Sequence, residues 1–174
     1  MTIFIGPTNW WWRDSPDVAD ASCQAKGAAR LDGAAAAGKV LVDGSRIICV
    51  GGGAAWIIAP ASTQVSSAWA GGQYNSTTVG HKCCISEWPA LETALTNAGF
   101  NPTDWFVPDD SQLTDPGCVC RTNWDSFSAV CYWSSTEVNA TGASRVSFDP
   151  IRVSVCTLLK GTSACVRAMR CVTY

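Results

Sequence analysis

The chain has 174 residues, a formal net charge of −2 and a pI near 5.2, which excludes the clustered Lys and Arg of a nucleic-acid-binding surface. Its length is that of one domain with a sizeable core, and its apolar stretches are all shorter than the ~18 residues of a membrane span. Only 15% of the residues are charged, so few charges would be desolvated where the protein packs against a neighbour.

The first residues lack the features of a signal peptide. The segment Met1–Pro7 has no basic region, and its apolar run is far shorter than a signal-peptide core. We therefore expect the protein to be made in the cytoplasm and to remain there at first.

Three successive tryptophans, Trp10, Trp11 and Trp12, are the most unusual local feature. Neighbouring side chains diverge in both strands and helices, so all three cannot face one core. Tryptophan is a leading anchor of protein interfaces, and we predict that these residues contact another molecule. The alternative is an aromatic flap that covers the domain's own sheet.

The first half of the chain predicts a helix followed by strands. Ser15, as N-cap before Pro16, starts a helix that reaches about Arg30. Residues 39–43 and 46–50 then form a predicted hairpin, because β-branched runs are bounded by turn residues. The apolar run 54–59 is typical of a buried strand, and residues 60–80 form a loop with an embedded strand.

Two further helices follow. The first begins near Ser86 and ends at Gly99, since apolar residues recur at the spacing of one buried stripe: Trp88, Leu91, Ala94, Leu95 and Ala98. The second opens at Asp109, because Asp109 and Gln112 have the spacing of a capping box.

Ten cysteines allow three interpretations. An even count indicates disulfides in a protein that leaves the reducing cytosol. Buried free thiols are the plainer alternative, because Cys packs as a small hydrophobe. Zinc would require CxxC pairs or His partners, whereas the chain has one CxC, one adjacent pair and a single His81.

The second half resembles a known family on three blocks, which are Asp104–Pro108 leading into Gln112-Leu113, Tyr132–Glu137 (YWSSTE), and Cys165–Val172. These blocks are similar to the C-type-lectin-like domain of the Lcl C-terminal family, found in bacterial surface proteins and phage virion proteins. The likeness covers residues 86–174 and, weakly, 54–85. It implies an α+β fold of short antiparallel strands and two main helices. The chain 1–174 would be one domain, with a lectin-like core at 54–174 and an N-terminal helix and hairpin extension at 1–53.

The closing strands can also be interpreted physically. Val146 and Phe148 alternate, as do Val153 and Val155, so each pair is expected to point inward. Residues 159–162 form a turn, and a symmetric turn would place Cys156 directly across from Cys165 as a disulfide or a packed pair. Trp105 and Trp133 are predicted to be core anchors.

Catalytic and metal-binding patterns are missing. Calcium-dependent sugar recognition in C-type lectins uses specific triplets, and Glu137–Asn139 and Asn123–Asp125 have related letters in the wrong order. Formylglycine-generating enzymes have a similar fold with paired cysteines, but the likeness does not extend to their catalytic region. His81 lies beside Cys83 and Cys84 without specifying a reaction. We expect no enzyme, no cofactor and no metal.

The sequence therefore predicts a virion surface protein of a tailed phage, made in the host cytoplasm, that decorates the capsid or forms part of a fibre. Expected partners are other virion proteins, copies of itself in a symmetric homo-oligomer, and a glycan or protein of the host surface. The phage origin depends on family analogy. The alternative is a bacterial surface adhesin or lectin domain, and a formylglycine-generating type of enzyme is a third candidate.

Overall fold

The computed structural model describes residues 36–51, 54–72, 81–114, 131–148 and 153–173. Within these ranges the chain forms two sheets and two α-helices, a mixed α and β arrangement in which strands predominate. The helices in this part of the chain are too short or too polar to cross a membrane. Trp10, Trp11 and Trp12 and the helix expected from Ser15 lie outside the described residues.

The strands are numbered in chain order. They are β1 (Arg46–Gly51), β2 (Ala54–Ile58), β3 (Val65–Ser67), β4 (Cys131–Glu137), β5 (Gly142–Phe148), β6 (Val153–Leu159), β7 (Ala164–Val166) and β8 (Met169–Thr173). The helices are α1 (Pro89–Asn97) and α2 (Asp110–Thr114). Short 3-10 turns lie at Ala61–Thr63, Trp69–Gly72, Ile85–Glu87 and Pro102–Asp104.

The first sheet has three strands in the order β1-β2-β8, and all its pairs are antiparallel. Its middle strand β2 is the buried strand predicted from residues 54–59, with Ala55 and Ile57 fully buried. Just beyond β2, the Ala59 amide donates to the Ala168 carbonyl at 3.0 Å, and the buried Arg167 guanidinium donates to the Ala59 carbonyl. The end of the chain thus pairs with a strand that lies much earlier in the sequence.

The second sheet has five strands in the order β3-β7-β4-β5-β6. Strand β7 pairs parallel with β4 at Tyr132 and Cys165, while the other pairs are antiparallel. Strands β5 and β6 are in register along their whole length. Strand β3 forms one edge of this sheet and β6 forms the other.

The core consists of two clusters of buried side chains. One contains Trp69, Trp88 and Trp133 under helix α1, with the Trp69 and Trp88 rings edge to face at 6.1 Å. The other lies between the two sheets and includes Trp56 against Phe106, again edge to face. Trp105 and Trp133 are 2% and 1% exposed, which confirms that both are core anchors.

Helix α1 follows the predicted stripe in part. Leu91 and Leu95 are fully buried, whereas Ala98 is exposed and lies just beyond the helix. It begins at Pro89 rather than Ser86, because proline is favoured in the first helical turn and residues 85–87 form a 3-10 turn. The helix ends before Gly99, whose φ of +84° is a left-handed conformation that glycine adopts without strain.

The capping box of helix α2 is confirmed. The Asp109 amide donates to Gln112 Oε1 at 2.9 Å, and the Gln112 amide donates to Asp109 Oδ1 at 2.7 Å. Two N–H groups at the helix start are therefore satisfied by side chains even though the helix has only five residues.

The predicted first hairpin is partly wrong. Residues 46–50 do form a strand, but the segment before it is not a full strand. It is joined to β1 by one antiparallel bridge, Val40 with Arg46, and by three main-chain hydrogen bonds, from Gly38 N–H to the Ile47 carbonyl, from Ile47 N–H to the Lys39 carbonyl and from Leu41 N–H to the Ser45 carbonyl. The Asp43 carboxylate accepts from the Ser45 amide at 2.9 Å, which folds this stretch into a tight turn. The full-length partner of strand β1 is β2.

Strand β4, which holds the YWSSTE block, is bonded to its surroundings along its whole length. The Tyr132 hydroxyl donates to Gln64 Oε1 at 2.6 Å, and the Trp133 indole N–H donates to the Ser67 carbonyl at 2.9 Å. The Ser134 carbonyl accepts from the Trp69 indole N–H at 2.9 Å. This distinctive block therefore organises the fold, because its side chains and main chain face partners within the domain.

A buried ion pair lies at the end of this strand. Glu137 accepts a hydrogen bond from Lys160 Nζ, and the two side chains are 1% and 0% exposed. Lys160 Nζ also donates to the Ala140 carbonyl at 3.1 Å and lies 4.9 Å from the centroid of the Trp69 ring. The Lys160 charge is thus balanced by a carboxylate, a carbonyl and an aromatic face.

We predict that Lys160→Met lowers the free energy of unfolding by about 3–5 kcal/mol, because it leaves Glu137 buried without a counter-charge. The double variant Lys160→Met with Glu137→Gln should be more stable than Lys160→Met alone, because no isolated charge is then buried. Chemical denaturation of the three proteins measures both effects. A loss below about 1 kcal/mol in the single variant would contradict the prediction.

Candidate interaction edge

Strand β6 presents an unusual edge to the surroundings. Val155 and Leu159 are 49% and 65% exposed, although the alternation of Val153 and Val155 predicted an inward face. The reason is the strand order, since β6 is the last strand of its sheet among the described residues and has a described neighbour on one side only. The expectation that Val155 is buried is therefore wrong.

The other described edges are protected in ways that β6 is not. Strand β3 is only three residues long, and β1 and β8 carry Arg46 and Arg170. Short length and charge are common devices that keep a sheet edge from pairing with another chain. Strand β6 has seven residues and no charge, proline or glycine, so its outer main-chain groups are well suited to pairing.

Steric contact with β5 fixes the position of β6. A Cβ at Gly142 would lie 2.6 Å from Thr157 Cγ2 and 3.2 Å from Asn139 Oδ1, so only glycine fits at this point of β5. Asn139 Oδ1 also accepts from the Gly142 amide at 2.8 Å and shapes the turn that leads into β5. Strand β6 is therefore held closely against β5 at this end.

A guanidinium group lies beside the thiol at the middle of β6. Arg145 Nε donates to Cys156 Sγ at 3.0 Å, and these two residues are partners in the β5–β6 register. This hydrogen bond is the main cause that raises the pKa of Arg145, and the nearby Cys131 adds to the effect. Cys156 is a free thiol and is partly exposed.

The expected pair of Cys156 and Cys165 is not formed. Strands β4 and β5 lie between β6 and β7, so the two residues are separated by three strand spacings, about 14 Å. Both thiols are free, and Cys165 Sγ accepts instead from Gln64 Nε2 at 3.4 Å. The error arose because the chain does not turn back beside β6 after residues 159–162 but crosses the sheet to join β4.

The remaining described cysteines differ in their bonding and surroundings. Cys83 is buried, while its neighbour Cys84 is disulfide-bonded. Cys49 and Cys171 are the register partners of Trp56 on the two neighbouring strands of the first sheet. Burial, and secondarily the neighbouring Cys49, raises the pKa of Cys171 to about 11.

No family model, curated protein or solved structure matches this chain.

The acidic and histidine residues considered above serve the fold. Glu137 faces Lys160, and Asp110 accepts hydrogen bonds from the hydroxyls of Thr136 and Ser144 at 3.1 and 3.0 Å. His81 forms a β-bridge with Thr136, and the disulfide of Cys84 removes one of the two thiols near it. In the described ranges, no three His, Cys, Asp or Glu side chains are grouped to hold a metal.

The exposure of the β6 edge was not predicted from the sequence. The run from Val153 to Leu159 shows its lack of charge directly, and its alternation indicates a strand. What the sequence does not show is the neighbour that each strand lacks, because strand order depends on contacts between distant segments.

We predict that Gly142→Ala lowers the free energy of unfolding by about 1–3 kcal/mol, because the added methyl group collides with Thr157 Cγ2. Thr157→Ser removes that carbon, so the double variant should recover part of the loss. Thermal or chemical denaturation of the two single variants and the double variant forms a complete cycle. Equal losses with and without Thr157→Ser would show that this contact is not the cause.

The raised pKa of Cys171 predicts a loss of stability at high pH. The folded protein keeps the thiol proton up to about pH 11, whereas the ordinary pKa is 9.0, so this stabilisation is complete below pH 9 and is lost as the pH rises to 11. Between these values, the advantage in unfolding free energy of the wild type over Cys171→Ala should shrink by up to about 2 kcal/mol. A constant difference across this range would contradict the assignment.

Proposed function

We propose that this chain is a structural and binding protein on the surface of a tailed-phage particle, with a C-type-lectin-like fold. The observation that carries the proposal is the long, uncharged and exposed edge of β6, which suits an assembly surface. Low overall charge supports the same role, because a neighbour can cover this surface with little cost of desolvation.

The fold adds support for the family assignment. The three blocks that resemble the family occupy structural positions, with Trp105–Pro108 buried beside α2, YWSSTE in β4, and Cys165–Val172 in β7 and β8. Pairing of β2 with β8 brings the closing strand back to the first buried strand of the proposed core.

A second candidate is a bacterial surface adhesin or lectin domain. The observation that favours it is the disulfide at Cys84, because disulfides persist in oxidising environments such as the cell exterior. A released phage particle meets the same conditions, so the location of the protein has to separate the two candidates.

The test is quantitative mass spectrometry of gradient-purified particles from the host that carries this gene. We expect the chain in the particles at a fixed ratio to the major capsid protein. Leu159→Lys should reduce its incorporation at least tenfold, because it places a charge on the exposed face of β6. Val42→Lys is the matched control, since Val42 is also an exposed apolar residue but lies away from β6.

Recovery of the chain only in the cell envelope, with binding to a glycan array, would reject the phage assignment and support the adhesin. Normal incorporation of Leu159→Lys would show that the β6 edge is not the assembly surface.

A further inference from the structure

We propose that strand β6 pairs antiparallel with β6 of a second copy of this chain, about a two-fold axis at Cys156. This inference rests on the proposed role of β6 as an assembly surface and names the partner. The outer N–H and C=O groups of a strand are complementary to another strand, and a two-fold axis brings two identical edges together antiparallel.

The length of the strand selects the register. Cys156 is the midpoint of Val153–Leu159, so a two-fold axis at this residue pairs all seven positions. Moving the axis by one residue leaves two positions of each strand without a partner in the other. Moving it by half a residue places side chains of opposite faces against each other.

The side chains agree with this register. Val153 would lie opposite Leu159 of the other copy, and Val155 opposite Thr157. These four positions alternate along β6 and so share one face of the sheet, the face on which Val155 and Leu159 are exposed. Cross-strand pairs of β-branched and aliphatic residues stabilise a sheet, so the exposed apolar surface would be covered by its own counterpart.

The charges of the region permit the contact. Lys160, the residue next to β6, is fully buried and paired with Glu137, so its charge does not face a second copy. Arg145 lies one strand away from the edge, on β5. The Cα atoms of the two Arg145 residues would be three strand spacings apart, about 14 Å, and each guanidinium would keep its hydrogen bond to the Cys156 thiol of its own copy.

A disulfide between the two Cys156 residues would test the proposed register directly. Opposite residues of an antiparallel pair have Cα atoms about 4.5–5.5 Å apart, within the range that a disulfide requires. Cys156 is a free and partly exposed thiol, and at the axis it would lie opposite itself. Mild oxidation should therefore join two copies, as two thiols give two electrons and two protons to diamide and form one S–S bond.

The experiment is diamide oxidation of the purified full-length protein, followed by non-reducing electrophoresis and peptide mass spectrometry. We expect a Cys156–Cys156 linked dimer in the wild type. Cys131→Ser, which removes the other thiol near Arg145, should retain this dimer, whereas Cys156→Ser should lose it. Light scattering should show that Cys156→Ser still dimerises without the covalent link, because the strand pairing is unchanged.

Variants of the exposed face complete the test. Leu159→Lys should weaken the dimer at least tenfold in its dissociation constant, while Val42→Lys should leave it unchanged.

A dimer that Leu159→Lys disrupts, but in which Cys156 never links to itself, would overturn the proposed register. A wild-type protein that stays monomeric at all concentrations would overturn the pairing. A Cys156-linked dimer absent from phage particles would leave this inference standing and reject the phage function.

Discussion

The ion pair of Lys160 with Glu137 lies where four segments of the chain meet. Lys160 follows β6, Glu137 ends β4, Ala140 lies in the turn before β5, and Trp69 belongs to an early 3-10 turn. Main-chain bonds reinforce the junction, as the Trp69 amide donates to the Lys160 carbonyl and the Lys160 amide to the Thr141 carbonyl. None of these segments can move away without leaving a buried charge unbalanced, so the end of β6 is held rigidly.

The central and edge strands of the second sheet differ in what their residues contact. Strand β4 lies in the middle, and its YWSSTE residues are engaged with Gln64, Ser67, Trp69 and Asp110. Strand β6 lies at the edge of the sheet as the described residues form it. The most recognisable block of the sequence thus maintains the fold, while the uncharged strand VSVCTLL exposes Val155 and Leu159.

Features that depend on neighbours along the chain could be predicted from the sequence. These include the buried strand at 54–58, the stripe and glycine stop of α1, and the capping box of α2. Features that depend on strand order could not, because a turn at 159–162 is compatible with a hairpin or with a crossing to another strand. The crossing places β7 beside β4, separates Cys156 from Cys165 and leaves Val155 exposed. The first hairpin forms only in part, as a few main-chain bonds around a turn in which the Asp43 carboxylate accepts from the Ser45 amide.

Closure of β2 on β8 has a consequence for biosynthesis. Strand β2 emerges from the ribosome long before β8, whose residues lie ~115 positions later in the register, and pairings of such separation form slowly. During that interval Trp56, Ile57 and Ile58 form an apolar strand that β8 cannot yet cover. The nascent chain therefore exposes an apolar, aggregation-prone segment during most of its synthesis. Chaperone protection of β2 would then govern the yield of folded protein.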